Sequence, residues 1–399
     1  MPENGRIIHM TLKTRLSVLF ISTPVLAFVV VGGLLGKQPG GGDQPYQHLR
    51  VFDDVVSLVT SAYVEPVKID RVMEGAMRGL ADGLDPDSAV LSAKQVKALE
   101  GGETLPEGEV GLELTRQYYL RVISARDGSP AAKAGLQTGD YVRAIDSTPT
   151  RDMSVFEGMR LLHGQPGTKV TLTVIRGNAA DPHQIALVRE KSATPPVTSK
   201  LLGTDTGYVR IASFRQDVSA DLKKQVADLT KAGAKALIVD LRRTAEGPVE
   251  NGIAAARLFV KTGTLVQQSG RDTKTATKVA AKAGDGAIDA PVWLLVTTGT
   301  SGAAEVFAAA LQGNKRADLV GEHTLGRAGL QKLVKLPENR GIWLTYSRYL
   351  TPDGQPIHGK GLEPKVAVDE PDVEFGAPAP TTDPVLDAAL AQTKMKAAA

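Results

Sequence analysis

A chain of 399 residues, 42% hydrophobic and 23% charged, has room for roughly two to four domains and is too apolar to be disordered throughout. Its 47 basic and 44 acidic residues leave a net charge of +3 with no dense basic run, which argues against nucleic acid as a partner. Cysteine is absent and the six histidines show no HExxH spacing, which excludes disulfides, thiol nucleophiles, cysteine-based metal centres and a zincin-type site.

In chain order, residues 1–15 carry Arg6, Lys13 and Arg15 ahead of an apolar stretch from Leu16 to Gly36. As a helix that stretch would rise roughly 31 Å, about the hydrocarbon thickness of a bilayer. The basic flank predicts a single-pass anchor over 16–36 in the inner (cytoplasmic) membrane, with the bulk of the chain in the periplasm or extracellular space. A cleaved signal peptide is the alternative, but no A-x-A cleavage pattern follows. Residues 37–45, rich in Gly, Pro and Gln, read as a flexible spacer.

Residues 46–107 read as a helical segment. Phe52, Val55, Val56, Val59 and Tyr63 form one stripe of a helix that Pro66 stops. Asp70 is placed to cap a second helix carrying Val72, Ala76 and Leu80, and Gly83–Ser88 is turn chemistry. Residues 108–190 form a β-rich unit, with strand-like runs at 111–114, 119–123, 141–145, 169–175 and 184–188. Within it, Ser129-Pro130-Ala131-Ala132-Lys133-Ala134-Gly135-Leu136-Gln137-Thr138-Gly139-Asp140 resembles the PDZ domains of bacterial proteases. That resemblance implies a peptide-binding role, with Val110, Gly111 and Leu112 as the carboxylate-binding loop and the peptide added as an extra strand.

Residues 191–370 alternate strand and helix: strand at 208–214, helix at 219–231, strand at 236–241, helix at 250–260, strand at 292–297 and helix at 303–311. Such alternation predicts an α/β core with helices covering a sheet. Residues 371–399 read as a Pro/Ala/Thr linker and a helix started by Asp383-Pro384. The glycine pair Gly321 and Gly326 has phosphate-loop spacing but lacks the Lys and Ser/Thr that should follow, so no nucleotide site is expected.

Almost everything after the anchor resembles the carboxy-terminal processing (tail-specific) serine peptidases. Tyr63-Val64 through Leu84-Asp85-Pro86-Asp87-Ser88 is similar to that family's "YV…LDPHS". Tyr349-Leu350-Thr351-Pro352-Asp353-Gly354 and Gly359-Lys360-Gly361-Leu362-Glu363-Pro364 are similar to its "YYTP-x-G…GKGIEP". The resemblance implies a crotonase-like α/β peptidase core beside the PDZ-like domain, a Ser–Lys dyad and no cofactor or metal.

Here the dyad is substituted. Glu305 and Leu311 fix a register that puts Ala304 at the family's nucleophilic serine, and Arg327 stands where the general-base lysine belongs. Gln331, matching the residue that orients the lysine, is kept. A methyl group cannot add to a carbonyl, and a guanidinium is neutral in roughly one molecule in a million at pH 7. In the oxyanion region, Glu246 replaces one of the two glycines before or at Gly247, and a carboxylate there opposes a developing oxyanion.

Ser301 is the alternative nucleophile, although its position before a small-residue helix points to an N-cap. Arg327 is expected in an internal ion pair, with Glu246 as one candidate acid. The expected function is capture of C-terminal peptide tails as scaffold, adaptor or competitor of an active relative. The alternative is an active serine endopeptidase using Ser301. Partners left open are a second copy of the chain, an active peptidase relative and the membrane itself.

Overall fold

The computed structural model describes residues 43–177, 181–192, 195–378 and 380–398. The expected anchor at 16–36 and most of the spacer lie outside these; among the described residues no helix is long and apolar enough to cross a membrane. The chain divides into two compact units, Met1–Ala76 and Met77–Ala399. In chain order the elements are α1 (Asp43–Ala62), α2 (Ile69–Asp82), β1 (Ala89–Leu91), α3 (Ala93–Glu100), β2 (Leu112–Gln117), β3 (Tyr119–Ala125), α4 (Pro130–Lys133), β4 (Tyr141–Ile145), β5 (Thr148–Pro149), α5 (Val155–Leu162), β6 (Lys169–Ile175) and β7 (His183–Val188). There follow β8 (Val197–Leu202), β9 (Thr206–Ile211), α6 (Ser219–Lys231), β10 (Ala236–Asp240), α7 (Val249–Ala256), β11 (Thr264–Ser269), β12 (Thr277–Ala280), β13 (Val292–Val296), α8 (Ala303–Gly313), β14 (Ala317–Gly321), β15 (Gly329–Lys335), β16 (Gly341–Leu350), β17 (Val366–Ala367) and α9 (Pro384–Ala398).

A six-stranded sheet, ordered β17-β14-β13-β10-β9-β8, forms the α/β core. All its pairs are parallel except the β8–β9 hairpin. The strands are apolar on both faces, as a sheet covered on both sides requires. Leu237, Val239, Leu294 and Val296 share one core with Leu222 and Val226 of α6, Ile253 of α7 and Phe307 of α8. The alternate residues Ile238, Trp293, Leu295 and Val320 pack with Val385 and Ala389 of α9. The C-terminal helix expected after Asp383-Pro384 therefore covers the second face. Helices α7 and α8 approach closely because Gly252 has no side chain: a Cβ there would lie 2.2 Å from the Ala303 carbonyl oxygen.

The β-rich unit folds as the sheet β2-β3-β4-β6-β7, with β5 on β4 and β2 at one edge. Its own core gathers Leu112, Leu114, Leu120, Val142, Val170 and Leu172. A third sheet, β1-β16-β11-β12 with β15 on β16, has no counterpart in the sequence reading. It corrects the all-helical reading of 46–107: Ala89–Leu91 pairs antiparallel with Gly341–Trp343. Three residues hold a strand conformation here only because a distant strand supplies hydrogen-bond partners, which no local pattern reveals. Two smaller corrections concern helix ends. Asp70 lies inside the first turn of α2 rather than capping it, and α7 ends at Ala256, short of the expected Val260.

Candidate active site

The turn from β13 into α8 is where the chemistry was sought. Strand-to-helix turns with strained backbone are where hydrolases of other folds lift a nucleophile into a cleft. Gly302 occupies that turn with φ 62° and ψ −120° and is the N-cap of α8. From Gly299 to Leu311 every residue is buried except Gly302. A Cβ at Gly302 would meet nothing closer than the carbonyl oxygens of Ala245 and Arg327, each at 3.7 Å. Ala304, by contrast, is 0% exposed and belongs to the apolar core. The point at which a side chain would enter the cleft is thus Gly302, two residues before the expected Ala304, and neither residue carries a hydroxyl.

Ser301 does not cap the helix. The cap interaction runs from the Gly302 N–H to Glu305 Oε2 at 3.1 Å. Ser301 donates its backbone N–H to the Thr244 carbonyl at 3.0 Å, and its side chain is fully buried. Its Oγ has no hydrogen-bond partner among the described residues. A glycine already satisfies the cap geometry with its positive φ, and the buried Glu305 supplies the acceptor, so the serine hydroxyl has no capping role to fill.

Glu305 organises the floor of the site. Besides Gly302 it accepts from Gly326 N at 2.6 Å, Arg327 N at 2.8 Å and Thr324 Oγ1 at 2.5 Å. Burial pushes its carboxyl pKa up, and these four donors oppose that push. Gly247 keeps φ 109°, and a Cβ there would lie 2.1 Å from the Phe214 carbonyl carbon.

Arg327 makes the ion pair expected of it, with different acids. Its Nε donates to Asp87 Oδ1 at 2.7 Å, and its Nη1 lies 3.5 Å from Glu113 Oε2. Burial works against the charge, but Asp87 and Glu113 raise the guanidinium pKa further still. Asp87 is delivered by the turn before β1, where Asp85 Oδ1 accepts from Asp87 N at 2.9 Å and Ser88 N at 2.8 Å. The sequence reading gives Gly83–Ser88 as turn chemistry and as a family motif, without assigning Asp87 a partner. Gln331 does not touch Arg327: its Nε2 donates to Thr345 Oγ1 at 3.1 Å across the β15–β16 pair.

Glu246 is held by Arg126 of the PDZ-like domain, whose Nη1 lies 2.7 Å and 2.9 Å from its two oxygens. Arg126 Nη2 also donates to Glu109 Oε1 at 2.5 Å, and Arg215 grips both Glu109 oxygens. Burial alone would raise the Glu109 pKa, but Arg215 and Arg126 hold it below the usual carboxylate value. Val110, Gly111 and Leu112 lie behind this network, all buried. Arg126 N donates to the Gly111 carbonyl at 2.8 Å and Ala131 N to the Val110 carbonyl at 3.0 Å. Gly111 needs its φ of 71° and its missing side chain, since a Cβ would sit 2.3 Å from Ser129 Cβ.

With strand order, turn and ion pairs established, comparison with known proteins is informative. Residues 205–368 match the model of peptidase family S41, and residues 121–176 match a PDZ domain. The chain is 30% identical over 331 residues to a carboxy-terminal-processing protease of Bartonella bacilliformis, covering 82% of this chain and 76% of that one. It is 32% identical over 317 residues to a carboxyl-terminal-processing protease of Synechocystis, covering 77% and 73%. Among solved structures it is similar to a photosystem II D1 C-terminal processing protease, with TM-score 0.66 and 27% identity over 80% of this chain and 92% of that one. The chain belongs to the carboxy-terminal-processing peptidases of family S41. It pairs that family's α/β core with a PDZ domain.

Proposed function

We propose that this chain binds C-terminal tails of other proteins outside the cytoplasm and does not cut them, as a scaffold, an adaptor or a competitor of an active relative. The observation that carries this reading is the chemistry of the cleft. Next to α8 the turn leaves only Gly302 partly accessible between the buried Ser301 and Ala303, Ala304 ends in a methyl inside the core, and the basic position is a guanidinium held by Asp87. No oxygen nucleophile and no unprotonated amine then meet at the turn, while the PDZ domain keeps an edge strand, β2, to which an extended tail can add. Because Val110, Gly111 and Leu112 are buried behind Arg126 and Glu246, a tail reaching them must displace those ion pairs. The apolar stretch at 16–36 would hold the protein at the inner membrane.

A second reading is favoured by one observation: a buried, unpartnered Ser301 Oγ at the start of α8 in a chain whose relatives are named proteases. In that reading the protein is a C-terminal processing endopeptidase with a displaced nucleophile. The test incubates the full chain with peptides of unstructured C-terminal sequence and reads products by mass spectrometry, with binding followed by fluorescence anisotropy. Binding without product is expected for the unmodified chain. Products that vanish on Ser301→Ala would establish the second reading instead. A Gly302→Ser/Arg327→Lys variant that gains cleavage would show that the rest of the machinery is intact.

A further inference from the structure

Strand β2 and the loops packed beside it bring together a set of charges that does not balance. Four carboxylates meet there: Asp87 from the turn before β1, Glu109 from the loop before β2, Glu113 on β2 and Glu246 from the loop after β10. Three guanidiniums answer them: Arg126 after β3, Arg215 after β9 and Arg327 before β15. Glu109 and Glu246 are taken by Arg126 and Arg215, and Asp87 by Arg327 Nε. Glu113 is left with Nη1 of an arginine already engaged, at 3.5 Å. The set is incomplete in the opposite sense as well. The Nε of Arg126, a residue 4% exposed, is a donor with no hydrogen-bond partner among the described residues.

We propose that the tail-binding cleft selects C-terminal tails bearing a lysine or arginine, whose charge completes the set at Glu113, while an oxygen of the tail satisfies Arg126 Nε. The inference rests on the tail-binding reading above and adds the substrate class. Glu113 sits on the edge strand, where an added strand would pair. Side chains on one face of a strand recur every second residue, and residues opposite each other across a pair have Cβ atoms roughly 5 Å apart. A basic side chain of the added strand therefore falls beside Glu113 at one register position and misses it at the next. The carboxyl of Glu113 fits this role: burial pushes it up to about 7, with Arg327 and Arg215 opposing and Glu246 adding to the push. A cation arriving from a ligand would draw it into the charged form.

The test uses the full chain and fluorescein-labelled peptides ending in three alanines, with a single lysine scanned through the six residues before them, read by anisotropy at pH 6 and pH 8. One lysine position is expected to tighten binding about tenfold over the all-neutral tail, as close charge pairs at interfaces do. The gain should be larger at pH 8, where Glu113 is ionised, than at pH 6. In Glu113→Gln the ratio of lysine-tail to neutral-tail affinity should fall to about one at both pH values, whatever the variant does to the neutral tail itself. A flat lysine scan among tails that do bind, or a gain that survives in Glu113→Gln at both pH values, overturns the charge selection alone. Absence of binding by every tail overturns the tail-binding reading and this inference with it.

Discussion

Two carboxylates, one sealed and one partly exposed, stand in opposite circumstances. Glu305, on the first turn of α8, is fully buried and receives four hydrogen bonds, three of them from backbone N–H groups. Glu113, on β2, lies 3.5 Å from Nη1 of Arg327, whose Nε already serves Asp87. Buried polar groups are costly unless paired, so a saturated carboxylate marks a part built to stay put. An under-compensated one marks a place where something else is meant to arrive or where charge is meant to change. The contrast is therefore between the saturated Glu305, held by four donors, and Glu113, with one long ion-pair contact.

Mutations can break or sharpen that contrast. The largest effect is expected at Glu305. Glu305→Ala orphans four donors at once and should lower stability by about 4 kcal/mol, with Glu305→Gln recovering part of it, measured by urea unfolding. Equal losses for the two variants would mean that charge rather than hydrogen bonding organises the turn.

Next comes the seam between the domains. Arg126→Ala leaves Glu109 and Glu246 buried with only Arg215, at a cost of about 3 kcal/mol. Limited proteolysis should then release the PDZ domain faster than the core unfolds. Unchanged proteolysis would show that the ion pairs are not what joins the two.

The under-compensated Glu113 should appear as a pH dependence. The Glu113 carboxyl titrates near 7 in the folded chain against 4.5 as its ordinary value, so its contribution to stability is whole below 4.5 and is lost as pH rises through 7. Stability of the unmodified chain relative to Glu113→Gln should therefore fall by about 3 kcal/mol between pH 4.5 and pH 8. A difference that stays constant with pH would place the Glu113 titration elsewhere. The smallest effect belongs to Gln331→Ala. Its hydrogen bond goes to Thr345 and not to Arg327, so about 1 kcal/mol or less of stability is expected to go, with no change in tail binding.

How much of this could be read from the residues varies with the range of the interaction. Helices α6 and α8, strand β10 and the PDZ strands were legible because apolar spacing within each segment already requires them. Strand β1 was not, because its partner lies in β16. That Ala304 ends in a methyl and that residue 327 is an arginine were legible as chemistry in any conformation, but the position expected at Ala304 is sealed in the core. Which residue beside α8 stays partly accessible was not legible: the string Ser301-Gly302-Ala303-Ala304 does not say which Cα points outward, and the answer is the glycine. Asp87 and Glu113 as partners of Arg327, in place of Glu246, were likewise hidden, because they come from a turn and a strand more than two hundred residues earlier.

The sequence by itself determined the family and the order of the PDZ domain and the S41 core, because these depend on residue identity and on periodicity within short segments. Tertiary structure alone decided that Gly302 is the partly accessible residue beside α8, that the sealed Ser301 hydroxyl has no hydrogen-bond partner among the described residues, and that Glu113 meets an arginine already engaged by Asp87. Those outcomes depend on which side chains the folded backbone brings within hydrogen-bond reach, and distance in space is not encoded locally along the chain.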